Sequence, residues 1–160
     1  MIRRSFLGIF ASLGLTHQTV FANNGAAQAR IEPLRLSDSE WKQRLTPKQY
    51  DVLRHEGTEP SHTSSLNTEK RKGVYHCAGC NLPLFTSDMK YDSGTGWPSF
   101  FTALPGAVLT KTDFKLILPR TEYHCARCEG HQGHVFTDGP PPTGKRFCNN
   151  GVALTFEGAV

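Results

Sequence analysis

The polar and apolar positions divide the chain into three textures. In the first, Met1–Ala29, Arg3-Arg4 precedes an apolar run from Phe6 to Leu15 and no acidic residue occurs before Glu32. Small-residue motifs follow at Val20-Phe21-Ala22 and Ala27-Gln28-Ala29. A basic start, a short apolar stretch and a small-residue cleavage site are the layout of a secretory signal peptide. Arg3-Arg4-Ser5-Phe6-Leu7 also fits a twin-arginine signal, which exports folded proteins. Ordinary secretion and an organelle presequence are the alternatives. The expectation is an exported protein, placed in a bacterial periplasm, with one domain over residues 30–160.

The second texture is helical. Ser37-Asp38-Ser39-Glu40 is a capping box and opens a short helix through about Leu45. Thr46-Pro47-Lys48-Gln49 is a second box, with Pro at the first helical position where its missing N–H costs nothing. The helix from Pro47 to His55 presents Val52 and Leu53 to a core and is expected to end near Gly57 as a left-handed cap. Thr58–Lys72 is polar and aperiodic and reads as loop, with His55 and His62 solvated.

From Gly73 onward, short β-type runs alternate with Gly, Pro and Asn turns. The runs are Gly73–Cys77, Leu84–Thr86, Ala107–Thr110, Phe114–Leu118, Thr121–Cys125, Arg146–Cys148 and Val152–Phe156. Their spacing predicts an antiparallel, mainly β domain. No apolar run reaches the ~18–20 residues of a membrane span, so stable membrane insertion is not expected. Over 160 residues the formal charge is +4. Without Arg3 and Arg4 the charge is +2, 16 basic against 14 acidic residues. Such a balance does not point to nucleic acid.

Cysteine changes the picture. There are five, an odd number, four of them in Cys77-Ala78-Gly79-Cys80 and Cys125-Ala126-Arg127-Cys128. Each pair follows a predicted strand and sits on a tight turn, with Gly79 inside one and Gly130 just after the other. Two such turns can close a tetrahedral site of four thiolates around one Zn²⁺ at ~2.3 Å. Two disulfides are the alternative in an exported chain, but paired turns of this kind suit a metal better. Four protein ligands leave no open position, so the zinc is structural. The 44 residues between Cys80 and Cys125 exceed the ~15–20 of a simple zinc ribbon, so the intervening chain is a substantial piece of sheet.

Cys148 stands alone. On a strand, residues two apart share a face, so Arg146, Cys148 and Asn150 point one way and Phe147 the other. A guanidinium near a thiol favours the nucleophilic thiolate; a buried core cysteine is the bland alternative. His131 and His134 are three apart and would face opposite sides of a flat strand, but Gly133 permits a bulge that brings them together. An imidazole can supply the proton that turns an oxygen into a leaving group, and Asp138 stands close enough to orient one. On these grounds alone, surface loop histidines are an equal alternative. Trp97, in Gly94-Thr95-Gly96-Trp97-Pro98-Ser99-Phe100, is either core packing or an aromatic wall for a small apolar group.

Taken together, these residues resemble the methionine-R-sulfoxide reductases of the B type. The matching stretches are 73–80, 91–100, Arg120-Thr121-Glu122, His131–Phe136, Asp138-Gly139-Pro140 and Arg146-Phe147-Cys148, and Ser37–Pro60 resembles the family's helical front. The similarity runs from about Leu36 to Phe156. It implies two antiparallel sheets with short N-terminal helices, with zinc on the side away from the nucleophile. It implies that Cys148 attacks the sulfoxide sulfur and that His131 and His134 bind the oxygen and deliver a proton. Arg146 and Asp138 then tune the site, Asn150 helps hold it, and Trp97 packs on the ε-methyl group. Many members carry a second, resolving cysteine where this chain has Thr95. With Cys77, Cys80, Cys125 and Cys128 committed to metal, recycling of a Cys148 sulfenic acid falls to a small thiol or a thioredoxin-like reductant. The partners expected are oxidised proteins and peptides, acted on by a monomer. A non-enzymatic zinc-binding interaction module is the competing class; it accounts for the paired cysteines but leaves Cys148, Trp97 and the histidines idle.

Overall fold

The computed structural model describes residues 31–115 and 118–159; the expected export signal lies outside them. Two helices lead in, α1 (Asp38–Arg44) and α2 (Pro47–His55). Both capping boxes form as the sequence predicts. Ser37 N–H donates to Glu40 Oε2 at 2.8 Å, and Thr46 N–H donates to Gln49 Oε1 at 3.1 Å. Each box satisfies donors that a helix start would otherwise leave unpaired. Trp41, Val52 and Leu53 are buried, and the Arg54 guanidinium lies over the Trp41 ring at 4.9 Å.

The left-handed cap of α2 is Glu56 (φ 57°), not Gly57. Its carboxylate bridges Lys111 and Lys115, each at 2.6 Å, which ties down the turn. A Cβ at Gly57 would displace the Asp51 carboxylate, 2.1 Å away, and press on the Asp51 carbonyl oxygen at 3.2 Å.

Nine strands follow among the described residues. β1 (Gly73–Cys77), β2 (Pro83–Thr86) and β9 (Leu154–Gly158) form a three-stranded sheet in the order β2-β1-β9. β3 (Lys90–Tyr91), β4 (Ser99–Phe100), β5 (Val108–Asp113), β6 (Arg120–Cys125), β7 (His131–Phe136) and β8 (Arg146–Asn149) form the second, ordered β3-β4-β8-β7-β6-β5. Every pairing is antiparallel. The expected mainly β fold, with two antiparallel sheets and two lead helices, is present. Among the described residues no helix is long and apolar enough to cross a membrane.

Aromatic rings join the sheets. Phe85, from the small sheet, stacks on Phe100 of the large one at 4.0 Å between centroids. Tyr75 meets Phe100 edge-on at 5.0 Å, and Tyr123 meets Phe147 edge-on at 5.3 Å. Such pairs add about 0.5–1.5 kcal/mol each beyond the area they bury. Phe147 points into this core and Cys148 away from it, as strand alternation requires.

Two strand expectations need correction. In Phe114–Leu118, Phe114 and Leu118 are 74% and 77% exposed and belong to the β5–β6 turn. Asp113 Oδ1 accepts the Lys115 N–H at 2.8 Å and starts the turn, and the last cross-strand pair is Asp113 with Arg120. The run expected from Val152 begins at Leu154, because Gly151–Ala153 makes a 3₁₀ turn.

Candidate active site and metal centre

Each Cys-x-x-Cys pair closes in the same way. Asn81 N–H donates to Cys77 O at 2.8 Å and Glu129 N–H to Cys125 O at 2.9 Å. Both Asn81 (φ 59°) and Glu129 (φ 58°) take the left-handed conformation that reverses the chain. The four sulfurs then converge within 4.8 Å of one another, all buried. Cys77 Sγ lies 3.6 Å from Cys128 Sγ, and Cys80 Sγ 3.4 Å from Cys125 Sγ. These separations are far beyond the ~2.05 Å of a disulfide. They approach the ~3.8 Å tetrahedron edge set by metal–sulfur bonds of ~2.3 Å. All five cysteines are free, so the disulfide alternative does not describe this cluster. Gln132 Nε2 donates to Cys77 Sγ at 3.4 Å, a contact suited to a thiolate.

The second cluster is built on β7 and β8. Gln132 is the extra residue of a bulge, since Tyr123 faces Gly133 while the adjacent His124 faces His131. The bulge puts His131 and His134 together, with ring centroids 5.5 Å apart. Gly133 lets β8 approach: a Cβ there would lie 1.9 Å from the Cys148 carbonyl oxygen. Cys148 is flanked across the sheet by Ser99 on one side and His134 on the other. A cavity of about 140 Å³ opens here, lined by Thr58, Trp97, Arg120, His134, Phe136, Cys148 and Asn150 among others. Its size is close to the ~150 Å³ that admits a benzene-sized guest.

Both histidines are braced by carboxylates. His134 Nε2 lies 2.8 Å from Asp113 Oδ2, which also takes Arg120 Nη2 at 2.6 Å. The Lys115 amide, His134 and Arg120 together hold the Asp113 carboxyl far below its ordinary value. An ionised Asp113 needs a donor, so Nε2 carries the His134 proton and Nδ1 is the free nitrogen. Burial pulls the His134 pKa down and outweighs Asp113, so the neutral ring prevails near pH 7. His131 is buried next to His134 but lies outside the Cys148 cavity, and lines a separate one with Leu53, Glu122 and His124. Its Nδ1 lies 2.7 Å from Glu122 Oε1, and its Nε2 is buried without a hydrogen-bond partner. Burial would raise Glu122, but His124, His131 and Lys111 hold it at about 2.

Arg146 makes a two-pronged pair with Asp138, Nε to Oδ1 and Nη2 to Oδ2, both at 2.8 Å, and lies over the Phe136 ring at 4.3 Å. Burial pushes the Cys148 thiol up; Arg146 and the Thr95 hydroxyl pull it back without reversing the shift. Arg146 therefore offsets part of the burial cost at Cys148, and the net shift is upward. Thr95, in the loop before Trp97, belongs to a hydroxyl chain: Ser93 Oγ lies 2.8 Å from Thr95 Oγ1 and 2.7 Å from Ser99 Oγ.

Trp97, His134, Cys148 and Asn150 therefore meet at one cavity, His131 lies next to His134 outside it, and Arg146 with Asp138 flanks the thiol. Sequence reading missed Asp113, Arg120, Glu122 and Thr58. Only Arg120 and Glu122 lay in a stretch already singled out.

Residues 45–158 match the SelR domain. The chain is 52% identical over 122 residues to "Peptide methionine sulfoxide reductase MsrB" of Agrobacterium fabrum, covering 76% of this chain and 90% of that protein. It is 52% identical over 132 residues to the protein of that name from Methanosarcina barkeri, covering 82% and 91%. To "Peptide methionine sulfoxide reductase B1, chloroplastic" of Arabidopsis thaliana it is 46% identical over 144 residues, covering 89% and 71%. Domain match, long relatives and converging site residues agree: the chain belongs to the SelR family, that of the peptide methionine sulfoxide reductases MsrB.

Proposed function

We propose that this protein reduces methionine-R-sulfoxide in oxidised proteins and peptides, with Cys148 as the nucleophile. The observation that carries the reading is the meeting of Cys148, Trp97 and the Asp113-braced His134 at one cavity sized for a single side chain. Trp97 takes the ε-methyl group, which places the sulfoxide sulfur over Cys148. His134 Nδ1 accepts the thiol proton and returns it to the departing oxygen, with Asp113 stabilising the imidazolium between the two events. In the net step the methionine S–O bond breaks and an S–O bond forms on Cys148. Sulfoxide is reduced to thioether, and the thiol is oxidised to a sulfenic acid that keeps the proton. Arg146, held by Asp138, stabilises the thiolate; Asn150 and His131 hold the cavity walls in place.

One Zn²⁺, held by Cys77, Cys80, Cys125 and Cys128, supplies structure rather than chemistry, because four protein ligands leave no open position. An outside thiol or a thioredoxin-like protein regenerates Cys148. The protein works as a monomer after export, with Met1–Ala29 as a twin-arginine signal. Replacing Arg3-Arg4 by Lys-Lys tests that route, and undiminished export of the variant refutes it.

The reaction is tested with R- and S-epimers of methionine sulfoxide, free and in peptides. Reduction of the R-epimer alone is expected, and Cys148→Ser should abolish it with fold and metal unchanged. Retained activity in that variant overturns the mechanism.

A further inference from the structure

The loop Thr58–Asn67 is the segment to which the sequence assigns no role, yet it is latched to both sides of the catalytic cavity. His62 N–H and Asn67 Nδ2 both donate to Gly96 O, at 2.7 and 2.9 Å. Trp97 Nε1 donates to Glu59 O at 3.0 Å. Glu59 N–H donates to Asn150 Oδ1 at 3.0 Å. The Glu59 carboxylate accepts the Gly151 N–H through Oε1 and the Val152 N–H through Oε2, the latter at 3.1 Å. One residue thus touches the indole of Trp97, the amide of Asn150 and the backbone just after Cys148.

We infer that Glu59 is a positioning residue for the reaction, setting the distance between the Trp97 wall and Asn150, just past the end of β8. Its main chain makes the contacts to Trp97 and Asn150; its carboxylate fixes that main chain to the 3₁₀ turn Gly151–Ala153, which follows β8, through the Gly151 and Val152 amides. The anion is specifically suited to this, because two convergent N–H donors require an acceptor at both oxygens. The His62 and Asn67 bonds to Gly96 hold the loop at its other end, but the indole and Asn150 bonds are made by Glu59's own C=O and N–H. Glu59 does not touch the reacting atoms. It acts through Trp97, whose proposed partner is the substrate's methyl group, so its effect belongs to substrate binding more than to the chemical step. The kinetic part of this inference rests on the proposed reduction; the placement of Trp97 does not.

Glu59→Gln presents one N–H₂ to a backbone N–H and so loses one of the two acceptors. For a methionine-R-sulfoxide peptide, KM should rise about tenfold, the scale of one charge-assisted bond, while kcat changes less. Glu59→Ala, losing both acceptors, should raise KM further. Acrylamide quenching follows Trp97 without any assay, because Trp41 is buried and Trp97 only half-buried. Quenching should increase in both variants, with zinc content and melting temperature near the wild-type values. Unchanged KM and quenching in Glu59→Gln would overturn the assignment. So would a fall in kcat at constant KM that tracks lost metal or lost folded protein, the signature of a purely structural role. If the wild-type protein failed to reduce the R-epimer, the reaction reading would fall while the quenching result still decided the latch.

Discussion

His134 gives its Nε2 to Asp113 Oδ2 at 2.8 Å, and its strand neighbour across β8 is Cys148. The carboxylate therefore decides which imidazole nitrogen is free to serve the thiol. Asp113→Asn keeps the shape but removes the charge that would stabilise an imidazolium. A loss on the order of 10²-fold in kcat is expected, with KM little changed, as for removal of general acid–base assistance. Steady-state kinetics on an R-sulfoxide peptide check this, and kcat within twofold of wild type counts against the relay.

Glu122 makes a second carboxylate prediction, about acid stability. It is 2% exposed and its pKa is about 2, below the ordinary value of 4.5. A depressed carboxyl stabilises the fold above its unfolded pKa and loses that contribution as pH falls through the folded value. The melting temperature should therefore fall on acidification from about pH 4.5 towards 2. Glu122→Gln should be less stable than wild type at pH 6 and less sensitive to pH across that window. Thermal melts at several pH values decide it.

Much of this was legible in the sequence because local chemistry dictated it. The two capping boxes, the paired Cys-x-x-Cys turns and the Arg146/Cys148 alternation each depend on neighbours in the chain. The bulge at Gln132 was readable from the adjoining Gly133, a residue that tolerates such distortion of a strand. The braces were not. Asp113 reaches His134 across 21 residues, and Glu122 reaches His131 across a bulge whose register no local pattern fixes. The β5 strand was read short because Lys111 and Thr112 face solvent on an edge and carry no apolar alternation. Phe114–Leu118 misled for the opposite reason: Phe114 and Leu118 are apolar but lie exposed.

Arg146 opposes a burial cost at Cys148 that it does not overcome. Arg146→Ala removes the largest contribution lowering the thiol pKa. The rate of alkylation at Cys148 should then rise with pH later than in wild type, its midpoint displaced upward. Iodoacetamide trapping across pH 6–10 on zinc-loaded protein, with Cys148→Ser as the blank, reads the shift. A profile that does not move would exclude Arg146 from the thiol's electrostatics.

The cysteine cluster should carry about one Zn²⁺ per chain, and Cys80→Ser or Cys128→Ser should lose it. Because the metal-binding energy is folding energy in such sites, loss of metal should lower the melting temperature by tens of degrees. The Gln132 side chain, bonded to Cys77 and within 3.5 Å of Asn149, links the cluster to the catalytic strand, so activity should vanish with the metal. Elemental analysis beside thermal denaturation tests this, and a fully active, metal-free protein would end the claim.

In the proposed reaction, recycling is the step for which the sequence offers no cysteine beyond the four-cysteine cluster and Cys148 itself. Four of its five cysteines form the buried cluster, and Thr95, which reaches toward the Cys148 sulfur, stands where a resolving cysteine would serve. A sulfenic acid on Cys148 has no second thiol nearby and should persist until an outside thiol condenses with it, releasing water and forming a mixed disulfide. A second thiol then frees Cys148. Thr95→Cys should change this outcome: the new thiol would sit within reach of the sulfenic acid and capture it as an internal disulfide. The measurement is one equivalent of methionine-R-sulfoxide peptide without reductant, then dimedone and mass analysis. Wild type should give a single adduct at Cys148 with its zinc retained, and Thr95→Cys an internal disulfide with little adduct. A Cys148 disulfide to Cys77, Cys80, Cys125 or Cys128 in the wild-type protein, accompanied by zinc release, would instead make the cluster the resolving thiol.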